Sequence, residues 1–96
     1  MSLSRIKKIL LKCKNKIREK FSVEEIGIFG SYVRGEQKKK SDLDILVEFK
    51  EIPSLFRFLD LEDYLTKILG LKVDLVRKKA LKPHIGECIL KEVVYI

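Results

Sequence analysis

No apolar stretch of this chain is long enough to cross a membrane, because lysines interrupt every one of them. No secretory leader pattern is seen either, so a cytoplasmic protein is expected. Cysteine is scarce: Cys13 and Cys88 stand 75 positions apart, which gives no metal-ligand spacing. Both are expected to stay reduced and to serve as small packing residues. His84 is the one histidine; it sits beside Pro83 at an expected helix start, has no evident partner, and is read as structural or surface. Asn15 and Gln37 are the only amides in a chain rich in Lys, Glu and Ile, a bias that leans toward a thermophile. Repeats, low-complexity tracts and an interdomain linker are all missing, so residues 1–96 are expected to form a single domain. At 96 residues the chain can bury roughly 60–65% of its unfolded surface, enough for one core. That leaves little room for a separate substrate-binding domain.

Charge is present in plenty and unevenly placed. The net charge is +7, and residues 1–20 carry all of it: eight Lys and Arg against Glu19 alone. Beyond Lys20 the acidic and basic groups cancel. Such a segment could meet nucleic acid or an acidic partner, or could simply be a solvated face.

Leu3, Ile6, Leu10, Cys13, Ile17 and Phe21 recur at steps of three and four and predict an amphipathic helix with Ser2 as its N-cap. Ile26 to Phe29 predicts a short buried strand ended by Gly30, and Ser31 to Gln37 a short helix before a loop over residues 38–41. Leu43, Ile45, Val47 and Phe49 alternate with Asp42, Asp44, Leu46 and Glu48, the period of a strand. Pro53 and Ser54 open a long helix that ends near Gly70, with Leu55, Leu59, Leu65 and Ile68 as its buried face. Lys72 to Arg77 predicts a third strand, Pro83 to about Lys91 a last helix, and Val93 to Ile96 a terminal strand. Strands alternating with helices imply an α/β or α+β sandwich, a small sheet with helices packed on it. Phe56 and Phe58 fall on different faces of their helix, so one of them is expected to be exposed.

The chemistry concentrates in IGIFGSYVRGEQKKKSDLDILVEF, residues 26–49. Gly30 permits a tight turn and close approach of the backbone. The helix start that follows presents free N–H groups to phosphate, with the Ser31 hydroxyl beside them. Arg34, one turn on, can reach the same phosphates or instead pair with Glu36. Tyr32 can stack on a base or join the core. Lys38, Lys39 and Lys40 form a solvated loop that could also steer a polyphosphate inward. Asp42 and Asp44, two apart on a strand, stand on one face and repel each other. A divalent cation would compensate them, since magnesium takes one or two carboxylates plus phosphate oxygens. Asp42 could instead cap a turn, with Asp44 merely exposed. Asp74, flanked by apolar residues, is costly in a strand unless paired or metal-bound, and could join them if its strand adjoins theirs.

These residues resemble the signature of minimal nucleotidyltransferases, within the DNA polymerase β-like nucleotidyltransferase superfamily. That pattern is a Gly-Ser pair, about ten residues, an Asp-x-Asp pair and a third acid on a later strand. Gly30, Ser31, Asp42, Asp44 and Asp74 match it, Arg34-Gly35-Glu36 matches its RGE, and the likeness runs on to the C-terminal residues. The resemblance implies a polymerase β palm-like fold and Mg²⁺-dependent transfer of AMP from ATP with release of pyrophosphate. It implies Asp42, Asp44 and Asp74 as catalytic residues and ligands of two Mg²⁺ ions, with Gly30, Ser31 and Arg34 binding the nucleotide. It also implies a role as antitoxin, modifying a tyrosine of a partner HEPN-domain toxin. Fold and motif leave the acceptor open. One alternative is a non-catalytic antitoxin that neutralises its partner by docking. Another is a nucleotidyltransferase acting on a small molecule or an RNA end. Direct binding of nucleic acid and a homo- or hetero-oligomer are further open possibilities.

Overall fold

The structure, a computed structural model, describes all of residues 1–96. The first helix, α1 (Leu3–Phe21), begins where the Ser2 hydroxyl accepts the Arg5 N–H at 3.3 Å and ends at Ser22 in the left-handed region. Its apolar stripe is buried through Ile6, Leu10, Ile17 and Phe21, while its basic residues line the other side. Strand β1 (Val23–Phe29) starts three residues earlier than the apolar run suggested, because Glu24 and Glu25 continue it at an exposed end. A short helix, α2 (Ser31–Arg34), stops at Gly35, three residues before the expected end. Strand β2 (Leu43–Phe49) follows the loop, and helix α3 (Leu55–Leu69) runs from its Ser54 cap to Gly70, as the cap residues foretold. Strand β3 (Val73–Arg77), a 3-10 turn over Lys78–Ala80, helix α4 (Pro83–Glu92) and strand β4 (Val94–Tyr95) complete the chain.

The four strands form one mixed sheet in the order β3-β2-β1-β4. β1 runs antiparallel to β2 and β4, and β2 runs parallel to β3, with α3 as the crossover between them. Helices α1 and α3 cover one face of this sheet. Leu43, Ile45 and Val47 of β2 meet Ile6, Leu10 and Ile17 of α1 and Leu61, Leu65 and Leu69 of α3 in a single apolar cluster. Truncating any of these fully buried Leu or Ile side chains to Ala costs about 2–5 kcal/mol. Phe21 and Tyr64, with ring centroids 5.4 Å apart, tie the end of α1 to α3.

Two expectations about packing need correction, and a third holds. Leu55 and Leu59 are 69% and 47% exposed, because α3 turns its Leu61–Leu65–Leu69 stripe to the sheet, and Leu59, two positions from Leu61, points to nearly the opposite side. Cys88 is exposed on α4, whereas Cys13 does pack against the core. Phe56 is exposed and Phe58 packs near Phe49, in line with their opposite helix faces. No helix is long and apolar enough to cross a membrane.

Candidate active site

Alternation along β2 sends Asp44, Leu46 and Glu48 to the face opposite α1 and α3. Asp42, just before the strand, continues this series. The parallel register sets Asp44 directly beside Asp74 of β3, and the antiparallel register sets it beside Phe29 of β1. Residues paired across a sheet point to the same face, so Asp44 and Asp74 rise together from neighbouring strands. The adjoining of the two strands was the condition on which Asp74 could join the pair.

The electrostatics follow from that placement. Partial burial, then repulsion from Asp74 and Asp42, pushes the Asp44 carboxyl up to about 6, against a modest opposing pull from Arg34. Asp42 has a cation beside it: its Oδ2 lies 3.9 Å from Lys72 Nζ. As they stand, no three of these side chains converge on one point at coordinating distance. The donor set nevertheless suits a hard divalent cation: carboxylate oxygens from adjoining strands, whose mutual repulsion such a cation would relieve.

Gly30 ends β1 at φ +81° and ψ −152°, a conformation that L side chains rarely adopt. A Cβ here would run into Asp44 Oδ2, and its distance to Asp44 Cγ would be 3.0 Å. The turn must therefore be glycine for two reasons, its backbone and the carboxylate that lies against it. Ser31 follows, half-buried, as the first residue of α2. Tyr32 points inward and is 5% exposed within the apolar cluster, which resolves its two readings in favour of core.

Glu92 is a residue that sequence reasoning missed. Its Oε1 accepts the Gly30 N–H at 2.7 Å. Arg34 Nη1 donates to both Glu92 oxygens at 3.0 Å, and Arg34 Nε donates to Glu36 at 3.4 Å. These bonds, with Glu92 the larger influence, raise the already high pKa of the guanidinium. The only local signal was a carboxylate in the last turn of a helix, where the dipole disfavours it. An open groove of about 350 Å³ runs beside this cluster, lined by Arg34, His84, Ile85, Cys88, Ile89 and Glu92. His84 thus stands on the surface near the cluster without bonding to it. Lys38, Lys39 and Lys40 lie in the loop before β2, where the Ser41 hydroxyl accepts the Lys38 N–H at 2.8 Å.

A mixed sheet with acids on two adjoining strands and a Gly-Ser turn beside them defines a nucleotidyltransferase. Residues 10–96 match the model of the nucleotidyltransferase domain family, and the chain belongs to that family. It is 56% identical to the protein adenylyltransferase MntA of Thermococcus cleftensis over 100% of this chain and 97% of that one. It is 33% identical to a solved structure of a candidate minimal nucleotidyltransferase, with a TM-score of 0.76 over 98% of this chain and 95% of that one. The fold is also that of an MNT antitoxin solved in complex with a tri-AMPylated HEPN toxin from Shewanella oneidensis. There the TM-score is 0.69 at 20% identity, over 94% of this chain and 70% of that one.

Proposed function

We propose that this nucleotidyltransferase moves AMP from ATP onto a tyrosine hydroxyl of a partner HEPN-domain toxin, and so acts as its antitoxin. The observation that carries the reading is the register of Asp44 against Asp74 beside the Gly30 turn. The name of the Thermococcus cleftensis relative supports protein as the acceptor and AMP as the group transferred. The modified toxin in the Shewanella oneidensis complex supports the kind of partner.

Asp42, Asp44 and Asp74 would hold Mg²⁺, which when bound neutralises charge on the attacking and leaving oxygens. The rest falls to the chain's own groups. The Gly30 amide is already engaged by Glu92, and so are Nη1 and Nε of Arg34 by Glu92 and Glu36, so Ser31 and the Arg34 Nη2 amino group are left to meet the triphosphate. Gly30 contributes space, letting the phosphates approach the backbone with no Cβ in the way. The acceptor oxygen attacks the α-phosphorus, the bond from that phosphorus to the β-phosphate bridging oxygen breaks, and pyrophosphate leaves. Asp74, exposed at the edge of the carboxylate group, takes the acceptor's proton and passes it to water. Positioning and charge neutralisation supply most of the acceleration in such transfers.

The test is label transfer with Mg²⁺ and a purified HEPN partner, comparing α-labelled with γ-labelled ATP. Label moving to the partner from the α position only, and lost in the Asp42→Ala/Asp44→Ala variant, is the expected result. Equal transfer by that variant would sink the carboxylate assignment. Protection from the toxin that survives in the variant, with no label on the partner, would make docking the mode of neutralisation.

A further inference from the structure

Glu92 closes α4, where the helix dipole opposes a negative charge, so its position needs another cause. That cause lies far away in the chain. One carboxylate accepts from the Gly30 amide at 2.7 Å and receives Arg34 Nη1 on both oxygens at 3.0 Å. Its side chain is 25% exposed, and that of Arg34 47%. Arg34 Nε is meanwhile turned to Glu36. The planar guanidinium is thus held along two of its edges, and the Nη2 amino group keeps both its N–H donors for another acceptor. Glu92 also fixes the residue against which Asp44 lies, since a Gly30 Cβ would strike that carboxylate. One side chain therefore sets the phosphate-facing arginine and the turn that backs the catalytic acid.

We infer that Glu92 is a positioning residue for the nucleotide: it orients Arg34 and the Gly30 turn toward the triphosphate without touching it. The inference rests on the adenylyl-transfer reading. It goes beyond the three acids and the Gly-Ser turn, which lie at least 18 residues upstream of Glu92 in the chain. A Gln at this position can still accept the Gly30 N–H but loses the charge that holds Arg34. An Ala loses both.

The test is calorimetric binding of AMP-PNP with Mg²⁺ to the wild-type chain and to E92Q, E92A, R34A and R34A/E92Q. All would be measured at a temperature where circular dichroism shows each folded. E92Q is expected to weaken binding about five- to ten-fold and E92A by more, the range for losing one charge-assisted contact or two. In the R34A background E92Q should change affinity by less than about two-fold, because nothing remains to be oriented. The Gly30 amide, followed by NMR without nucleotide, should exchange slowly in wild type and E92Q and quickly in E92A. Wild-type affinity in both Glu92 variants would overturn the inference alone. So would tighter binding, which would mean that Glu92 occupies the phosphates' place. An equal loss with and without Arg34 would reduce Glu92 to a structural bond. A wild-type chain that binds no nucleotide would overturn the adenylyl-transfer reading together with the inference.

Discussion

Leu43, Ile45 and Val47 leave β2 toward α1 and α3 and are closed to solvent, whereas Asp44 and Glu48 leave the same backbone toward the open side. The closed face is apolar, joined to two helices, and insensitive to pH. The open face places two acids side by side across the β2–β3 register and gives them no fixed cation within salt-bridge reach of Asp44. The first face stabilises the fold; the second spends some of that stability on a concentration of negative charge. A strand's two-residue period lets both functions share seven residues without sharing a side chain. A substitution at Asp44 should therefore affect chemistry and one on the closed face should affect folding, with little crossover, while Leu46, buried on the same side as Asp44, belongs with the folding residues.

The sharpest way to break this comparison is Asp44→Asn. Transfer is expected to fall about a hundred- to thousand-fold, the range seen when one preorganised electrostatic group is lost. In metal-free buffer the same variant should melt at a higher temperature than wild type, because it removes a carboxylate that its neighbours destabilise. A lower melting temperature would show that Asp44 is needed for the fold. From the other side, Ile45→Ala opens a cavity in the closed face and should cost about 2–4 kcal/mol in urea unfolding. Activity per folded molecule should stay close to wild type, and a large fall would mean that the two faces are coupled.

The pH dependence sharpens the same contrast. The Asp44 carboxyl sits at about 6 in the folded protein against 3.8 for an ordinary aspartate. Between those values the folded state holds a proton that the unfolded chain has released. Stability should therefore fall as pH rises from about 4 to about 6 and level off above, by roughly 1 kcal/mol once screening at this half-exposed site is allowed for. The check is the difference in urea midpoint between wild type and Asp44→Asn, measured without metal at pH 4.5 and 7.5. A difference that stays constant would remove the strain from Asp44. The smallest effect belongs to a charge on neither face. Lys67 pairs with Asp63 one helical turn away at 3.0 Å, both exposed, and Lys67→Ala should change stability by less than about 0.5 kcal/mol.

Much of this was legible before folding. The stripe from Leu3 to Phe21, the Ser2, Ser54 and Gly70 caps, and the alternation from Asp42 to Phe49 depend on neighbours within one or two turns of chain. The buried side of α3 was partly misread for a related reason. Leu55 and Leu59 are one turn apart and fit the helical period with each other, but they lie out of phase with Leu61, Leu65 and Leu69, and with apolar residues on both sides the period does not say which side meets the sheet. Tyr32 had two readings because the direction of α2 depends on what lies under it.

By itself, then, the sequence determined which residues could be acids on a strand, which glycine could turn, and which faces had to be apolar, because local sterics and side-chain period decide those. Tertiary structure alone decided that β3 lies beside β2, so that Asp74 stands against Asp44 across 30 residues of chain. It alone brought Glu92 to Gly30, 62 positions away. Contacts at such separations follow from how the layers close on one core, and no short-range pattern records that closure.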